Sequence, residues 1–314
     1  MNLIWNEQIK LYAKKSTWVM FAVLAVIALG GGLLTKFLDT ETNTKEYGEN
    51  WQAEVQEENL RLTAEMEEVE FAEFTNPMMI EENNYHLENN IKPQPYDGWE
   101  YVLENAFLSS LISLFTIIVA AGIISNEFKW GTIKLLLIRP ISRTKILLSK
   151  YVSVLIFAFT LLIFLLVVSW IVGALFFGLN GLNPSIVQQQ AGGYVQNDVL
   201  GEIVQGYGLS LVTLVMMATF AFMISAIFRS SGMAIGLAIF LMMAGNTIVG
   251  FLAQYEWSKY ILFANTNLRQ YMDGAEPLVE GMTMTFSIVV LLVYFAIFLG
   301  AAWTAFTKRD IAGQ

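Results

Sequence analysis

The sequence predicts an all-α membrane protein with six transmembrane helices, both termini cytoplasmic, and a helical acidic extracytoplasmic insert between spans 1 and 2. Three observations lead there. The 314-residue chain is 55% hydrophobic and only 14% charged, with a mean hydropathy of +0.53, outside the range usual for soluble domains. It contains uncharged runs of spanning length. Its charges are segregated, because the net charge of −9 hides short, strongly basic segments set between those runs.

The chain divides into residues 1–38, an N-terminal amphipathic segment and first span; 39–100, the acidic insert; and 101–314, the other five spans with a cytoplasmic loop at 125–150. From Met1 to Lys15, apolar Leu3, Ile4, Trp5, Ile9 and Leu11 mix with Glu7, Lys10, Lys14 and Lys15. That pattern reads either as a helix lying in the headgroup plane or as an ordinary cytoplasmic flank of the first span.

The first span runs from Thr17 to Leu38. Its basic flank and the small residues Ala28 and Gly30 resemble a cleavable signal peptide. The uncharged run from Ser16 to Thr35 is 20 residues, however, long enough to cross the bilayer at ~1.5 Å per residue.

Between Asp39 and Glu100 the composition shifts to 17 acids against Lys45, Arg61 and Lys92. Trp51, Val55, Leu62, Met66 and Val69 fall at helical spacing, predicting a helix over Glu49 to Phe74 that ends at Asn76 and Pro77. The single histidine, His86, then lies in a polar stretch and is expected at the surface. There are no cysteines, which removes disulfides, thiolate metal sites and cysteine nucleophiles. No ligand cluster at metal spacing surrounds His86, so no metal site is expected.

The second span is Tyr101 to Ile124. The third is Tyr151 to Leu179, broken by Asn180 to Pro184 and followed by an outer loop. The fourth, Ile203 to Phe228, and the fifth, Gly232 to Leu252, are joined by a short turn at Arg229, Ser230 and Ser231. An outer segment from Ala253 to Gly281 leads to the sixth, Met282 to Phe306. Placing the N-terminus inside puts 12 of 18 basic residues on the cytoplasmic side and 24 of 27 acids outside, as the positive-inside rule requires.

No ionisable residue falls in the middle of any predicted span, which disfavours proton- or ion-coupled transport and intramembrane hydrolysis. Polar residues in the spans, such as Ser109, Ser113, Thr160, Ser210, Thr213, Thr219 and Ser225, are expected to bond between helices at ~0.6 kcal/mol apiece. No GxxxxGK[ST] motif is present, so the chain has no ATP site of the P-loop kind.

The 26-residue stretch from Ser125 to Lys150 holds Lys129, Lys134, Arg139, Arg143, Lys145 and Lys150 against Glu127 alone. Pro140 predicts a turn between two short helices. Leu135, Leu136, Leu137 and Ile138 would pack under the bilayer surface. Ser142 is placed to cap a second helix, from Arg143 into the third span. The six bases suit an anchor for anionic lipid, whereas a helical elbow fused to a span suits a lever. Charge alone does not separate the two.

The order Glu127, Gly131, Thr132, Leu135, Leu136, Pro140, Ile141, Ser142, Arg143 and Lys150 resembles the loop signature of the membrane-domain family of type 2 ABC exporters. The six spans and the large first outer insert resemble that family as topology, although the long acidic insert departs from its compact pattern. The resemblance implies an ABC transporter permease in the cell (plasma) membrane of a bacterium, paired with a second permease copy and driven by a separate ATPase subunit. Coupling would fall to Glu127, Gly131, Thr132, Leu135, Pro140, Ser142 and Arg143. The chain would carry no cofactor and no catalytic site of its own, with ATP and Mg bound by the partner. Spans without ionisable groups favour a hydrophobic or amphipathic cargo (lipid, drug or peptide) over a bare ion, and no nucleic-acid partner is expected. The alternatives are a non-transporting membrane scaffold or receptor whose acidic arm binds a partner, and a pore.

Overall fold

The computed structural model describes residues 3–38, 45–69, 71–137, 140–182, 184–190, 193–228, 230–272 and 277–308. Its helices are α1 (Leu3–Tyr12), α2 (Lys15–Leu38), α3 (Trp51–Glu68), α4 (Ala72–Glu88), α5 (Gly98–Glu104), α6 (Ser109–Lys129), α7 (Ile133–Leu137), α8 (Arg143–Phe176), α9 (Val199–Ile227), α10 (Ser231–Leu252), α11 (Leu262–Asn265) and α12 (Met284–Thr307). Five helical stretches are long and apolar enough to cross a membrane: Lys15–Phe37, Gly98–Lys129, Arg143–Phe176, Val199–Ile227 and Met284–Thr307. Large apolar side chains stay exposed along them, among them Val26 and Leu34 on α2, Phe159 and Ile171 on α8, and Leu292 and Ile297 on α12. Such a surface is unfavourable in water and ordinary against lipid, so the chain is a helical membrane protein.

α6 and α9 form the centre of the bundle. Ile117, Ala120, Ala121 and Ile124 of α6 meet Met217, Ala218, Ala221 and Phe222 of α9 in one core that extends to α10 and α12. A second core joins α1, α2 and α5 to the α8 side through Leu11, Leu24, Val102, Phe157 and Leu161. The polar span residues divide into two groups. Ser225 accepts hydrogen bonds from the Ile124 and Ser125 amides, both at 3.1 Å, and the Tyr151 hydroxyl pairs with Thr219 at 2.8 Å. Ser113, Thr160 and Ser210 instead donate to carbonyls four residues back in their own helices. For these three the expectation of interhelical bonds fails, because the local carbonyl is always within reach.

Where α5 enters the bundle it passes α8 backbone to backbone. A Cβ on Gly173 would stand 2.7 Å from the Gly98 carbonyl oxygen, and one on Gly98 would stand 2.8 Å from the Ala174 nitrogen. Only glycine permits that approach at both positions. Asp97 caps α5 by accepting from Trp99 and Glu100, and also takes the Asn180 amide at 3.0 Å.

Two expectations about the outer insert are corrected. The predicted helix over Glu49 to Phe74 is two antiparallel helices, α3 and α4, that part at Val69, whose backbone is extended. Pro77 terminates nothing and lies inside α4. The hairpin is held by Asn76 donating to the Leu62 carbonyl at 2.9 Å and by Asn83 donating to Asn59 at 2.8 Å, around buried Val55 and Leu62. His86 is not a surface residue. It is 7% exposed, and its Nδ1–H donates to the Ile91 carbonyl at 3.0 Å.

The outer loop after α8 contains the only strands among the described residues, an antiparallel hairpin of β1 (Ser185–Gln190) and β2 (Gly193–Asp198). Their sequences, SIVQQQ and GYVQND, are too polar to alternate visibly, so the strands left no apolar period to read. The hairpin carries the insert: Tyr194 donates to the Met78 carbonyl at 2.8 Å, and the Gln196 amide donates to the Tyr85 hydroxyl at 3.2 Å.

Burial lowers the pKa of His86, outweighing its bond to the Ile91 carbonyl. The unfolded chain therefore takes up a proton that folded His86 refuses, and stability falls as pH drops below 6.5 toward the lower folded value. Burial raises the pKa of neighbouring Glu82, a contribution that runs the other way. Hydrogen exchange across α4 in wild type and His86→Gln isolates the histidine. The difference in protection is expected to shrink on acidification through that window.

Candidate functional site

The described ends of α1, α6 and α8 meet in a cluster of four charges. α1 inverts the usual amphipathic arrangement, with Glu7, Gln8 and Leu11 buried while Trp5 and Ile9 are more than half exposed. A helix turns its apolar face outward and its polar face to the protein where lipid headgroups and acyl chains meet the bundle. Whether it lies in the headgroup plane or simply flanks the first span, α1 packs this polar face against α8. Gln8 Nε2 donates to the Ser153 carbonyl at 3.0 Å, and Ser153 donates to the Ile4 carbonyl at 3.4 Å.

Lys150 is the centre of the cluster. Its side chain is 1% exposed, and Nζ lies 2.8 Å from Glu7 Oε2 and 3.0 Å from Glu127 Oε1. Lys10 Nζ closes the ring from the open side, 3.1 Å from Glu7 Oε1 and 3.2 Å from Glu127 Oε1. Two carboxylates and two ammoniums balance. Burial alone would push Lys10 down, but Glu7 and Glu127 outweigh it and hold its pKa above the ordinary value. Lys14 is pushed down, by burial and then by repulsion from Lys150.

Backbone geometry explains why glycine and threonine follow Glu127. α6 stops at Trp130, and Gly131 takes φ +70°, a left-handed conformation that costs other L-residues ~1–2 kcal/mol. This reversal returns Thr132 toward the end of α6, where its hydroxyl bonds the Glu127 carboxylate. The Glu127 oxygens are thereby shared among Lys150, Lys10 and Thr132.

The remaining residues singled out in this loop go elsewhere. Ser142 caps α8 as expected, accepting from the Lys145 amide at 3.4 Å. Arg143 does not join Glu127; its Nη1 donates to the Thr307 carbonyl at 2.8 Å in the last turn of α12, beside a Trp303-to-Thr144 bond of 3.0 Å. Pro140 is exposed, and Leu135 is 67% exposed and so not buried against the protein. Ile138 and Arg139 lie outside the described residues, as do the side chains of Leu136 and Leu137. The expected loop is also shorter than 26 residues, because Ser125–Lys129 completes α6 and α8 begins at Arg143.

Sequence reasoning missed Glu7 and Lys10 as site residues. Their signal was a lone acid three residues before a lysine on a segment read for its apolar face. Among the described residues no group of three or more metal-ligating side chains occurs.

A family model described as "Protein of unknown function (DUF2705)" matches residues 73–312. That span contains Glu127, Thr132 and Lys150 but not α1. The chain is 43% identical over 316 residues to "Uncharacterized protein YhcI" of Bacillus subtilis (strain 168), covering 99% of each. It is 32% identical to "Uncharacterized membrane protein YdbK" of the same organism, over 67% of this chain and 82% of that protein.

Truncating one member of a buried ion pair leaves the others uncompensated, at ~3–5 kcal/mol. Lys150→Met is therefore expected to lower unfolding stability by about that amount in detergent-denaturant titrations. Gly131→Ala is expected to lose ~1–2 kcal/mol through its backbone alone.

Proposed function

The chain belongs to the family described as "Protein of unknown function (DUF2705)", and we propose that it is the membrane-spanning permease subunit of an ATP-driven ABC exporter. In this reading α10, 22 residues long, is the fifth of six spans, both termini face the cytoplasm, and the chain sits in the plasma membrane of a bacterium. ATP and Mg are bound by a partner ATPase, and a second permease copy completes the pathway. The cargo class is a hydrophobic or amphipathic lipid, drug or peptide.

One observation carries the proposal. The loop segment from Trp130 to Ser142 is tethered on both sides, by the Glu127–Lys150–Glu7 cluster and by the Arg143 bond to α12. Between these tethers it exposes Trp130, Leu135 and Pro140. A force applied there reaches α1, α6, α8 and α12 through charged hydrogen bonds, which are about twice as strong as neutral ones. A lipid anchor needs basic side chains at this position but neither tether.

The acidic-arm reading keeps one supporting observation: Phe71, Phe74 and Met78, at the tip of the α3–α4 hairpin, are each more than half exposed. The two readings separate by mutation. Leu135→Asp leaves the cluster untouched and is expected to weaken association with the cognate ATPase subunit about tenfold or more, with thermal stability unchanged, and to abolish stimulated ATP turnover in nanodiscs. Intact turnover in Leu135→Asp, with activity lost on deleting residues 49–91, would favour the scaffold or receptor.

A further inference from the structure

At the other end of α6 from the charged cluster, a cavity opens between α6, α9, α10 and the segment after α11. It is lined on one side by Ser109, Ser110, Ser113, Asn267 and Arg269, and on the other by Met217, Met242, Met243 and Phe263. Along α6, Ser113 and Ser109 lie roughly 21–27 Å from Glu127 at ~1.5 Å per residue. This depth is close to the full hydrocarbon thickness, so the polar wall stands near the outer boundary of the bundle.

The hydrogen-bond inventory of the wall decides what it can hold. Ser110 donates to the Phe107 carbonyl at 2.9 Å and Ser113 to the Ser109 carbonyl at 3.1 Å. Ser210 and Thr213 are likewise engaged, with the carbonyls of Gly206 and Thr266. The Ser109 hydroxyl, the Asn267 amide and the Arg269 guanidinium have no side-chain hydrogen-bond or ion-pair partner among the described residues. Among the described residues no carboxylate lines the cavity. A guanidinium presents five N–H donors and accepts nothing, so the surplus on this wall is of donors and positive charge.

The opposite wall is apolar and leads outward, because Met243 is 69% exposed on the outer face of α10. A ligand that fits both walls carries anionic oxygens on an apolar chain. We propose that this cavity binds the phosphate-bearing headgroup of an anionic amphiphile, with Arg269, Asn267 and Ser109 donating to its oxygens and its chain lying along Met242 and Met243. The proposal depends on the position of the cavity in the bundle and not on an ATPase partner.

Native mass spectrometry of the full-length protein, exchanged into phosphatidylglycerol or phosphatidylcholine of identical chains, tests it. Both lipids offer phosphate oxygens, but choline's quaternary ammonium would stand beside the Arg269 guanidinium and offset its attraction to the phosphate, so phosphatidylglycerol should be retained about tenfold more tightly. Arg269→Gln should erase the preference and Arg269→Lys should keep part of it. Should Arg269→Gln fail to fold, Ser109→Ala with Asn267→Ala is expected to reduce the preference in the same direction. Equal retention of both lipids by wild type, or an undiminished preference in folded Arg269→Gln, would overturn the site. Displacement of the lipid by glycerol phosphate at the same concentration would assign it to a free phosphate ester and overturn the role of the apolar wall.

Discussion

A lysine side chain that is 1% exposed must be matched both in charge and in hydrogen bonds, since an unpaired ammonium taken out of water costs several kcal/mol. Lys150 obtains both from Glu7 and Glu127, and that requirement fixes much of the molecule. It draws the polar face of α1 against α8 and holds the end of α6 beside the start of α8. It also sets where the connection between those helices leaves the bundle. Gly131 and Thr132 follow from the same requirement, because a left-handed turn is what returns a hydroxyl to Glu127.

The constraint also gives the connection its mechanical character. Its two ends are anchored through Lys150 and Glu127 on one side and through Arg143 and Thr307 on the other. Charge distribution at the opposite end follows a different rule. There the insert rests on a polar hairpin through Tyr194 and Tyr85, and an arginine stands in a cavity wall without a side-chain hydrogen bond or ion pair among the described residues.

Five of the spans were legible because hydrocarbon demands long uncharged runs, and that demand appears directly in composition. Ser142 and the elbow into α8 were legible because capping is local chemistry. The cluster was only half legible. Glu127, Gly131 and Thr132 could be singled out by their order, but Glu7 lies 143 residues from Lys150, and nothing in a local pattern marks a contact at that separation. The bond from Arg143 to Thr307 of α12, 164 residues away, is equally invisible to a local pattern. His86 was misplaced for a related reason, since the polar residues around it face one another across α3 and α4 and leave the imidazole inside.

Hydrogen exchange of α1 in Lys150→Met, compared with wild type in the same nanodiscs, tests most directly whether the cluster holds the helix. The account predicts that residues 3–12 lose protection while the α6–α9 core keeps its own. Protection of α1 unchanged in Lys150→Met would contradict it, and would leave Gln8, Ser153 and Leu11 as the contacts that hold the helix in place.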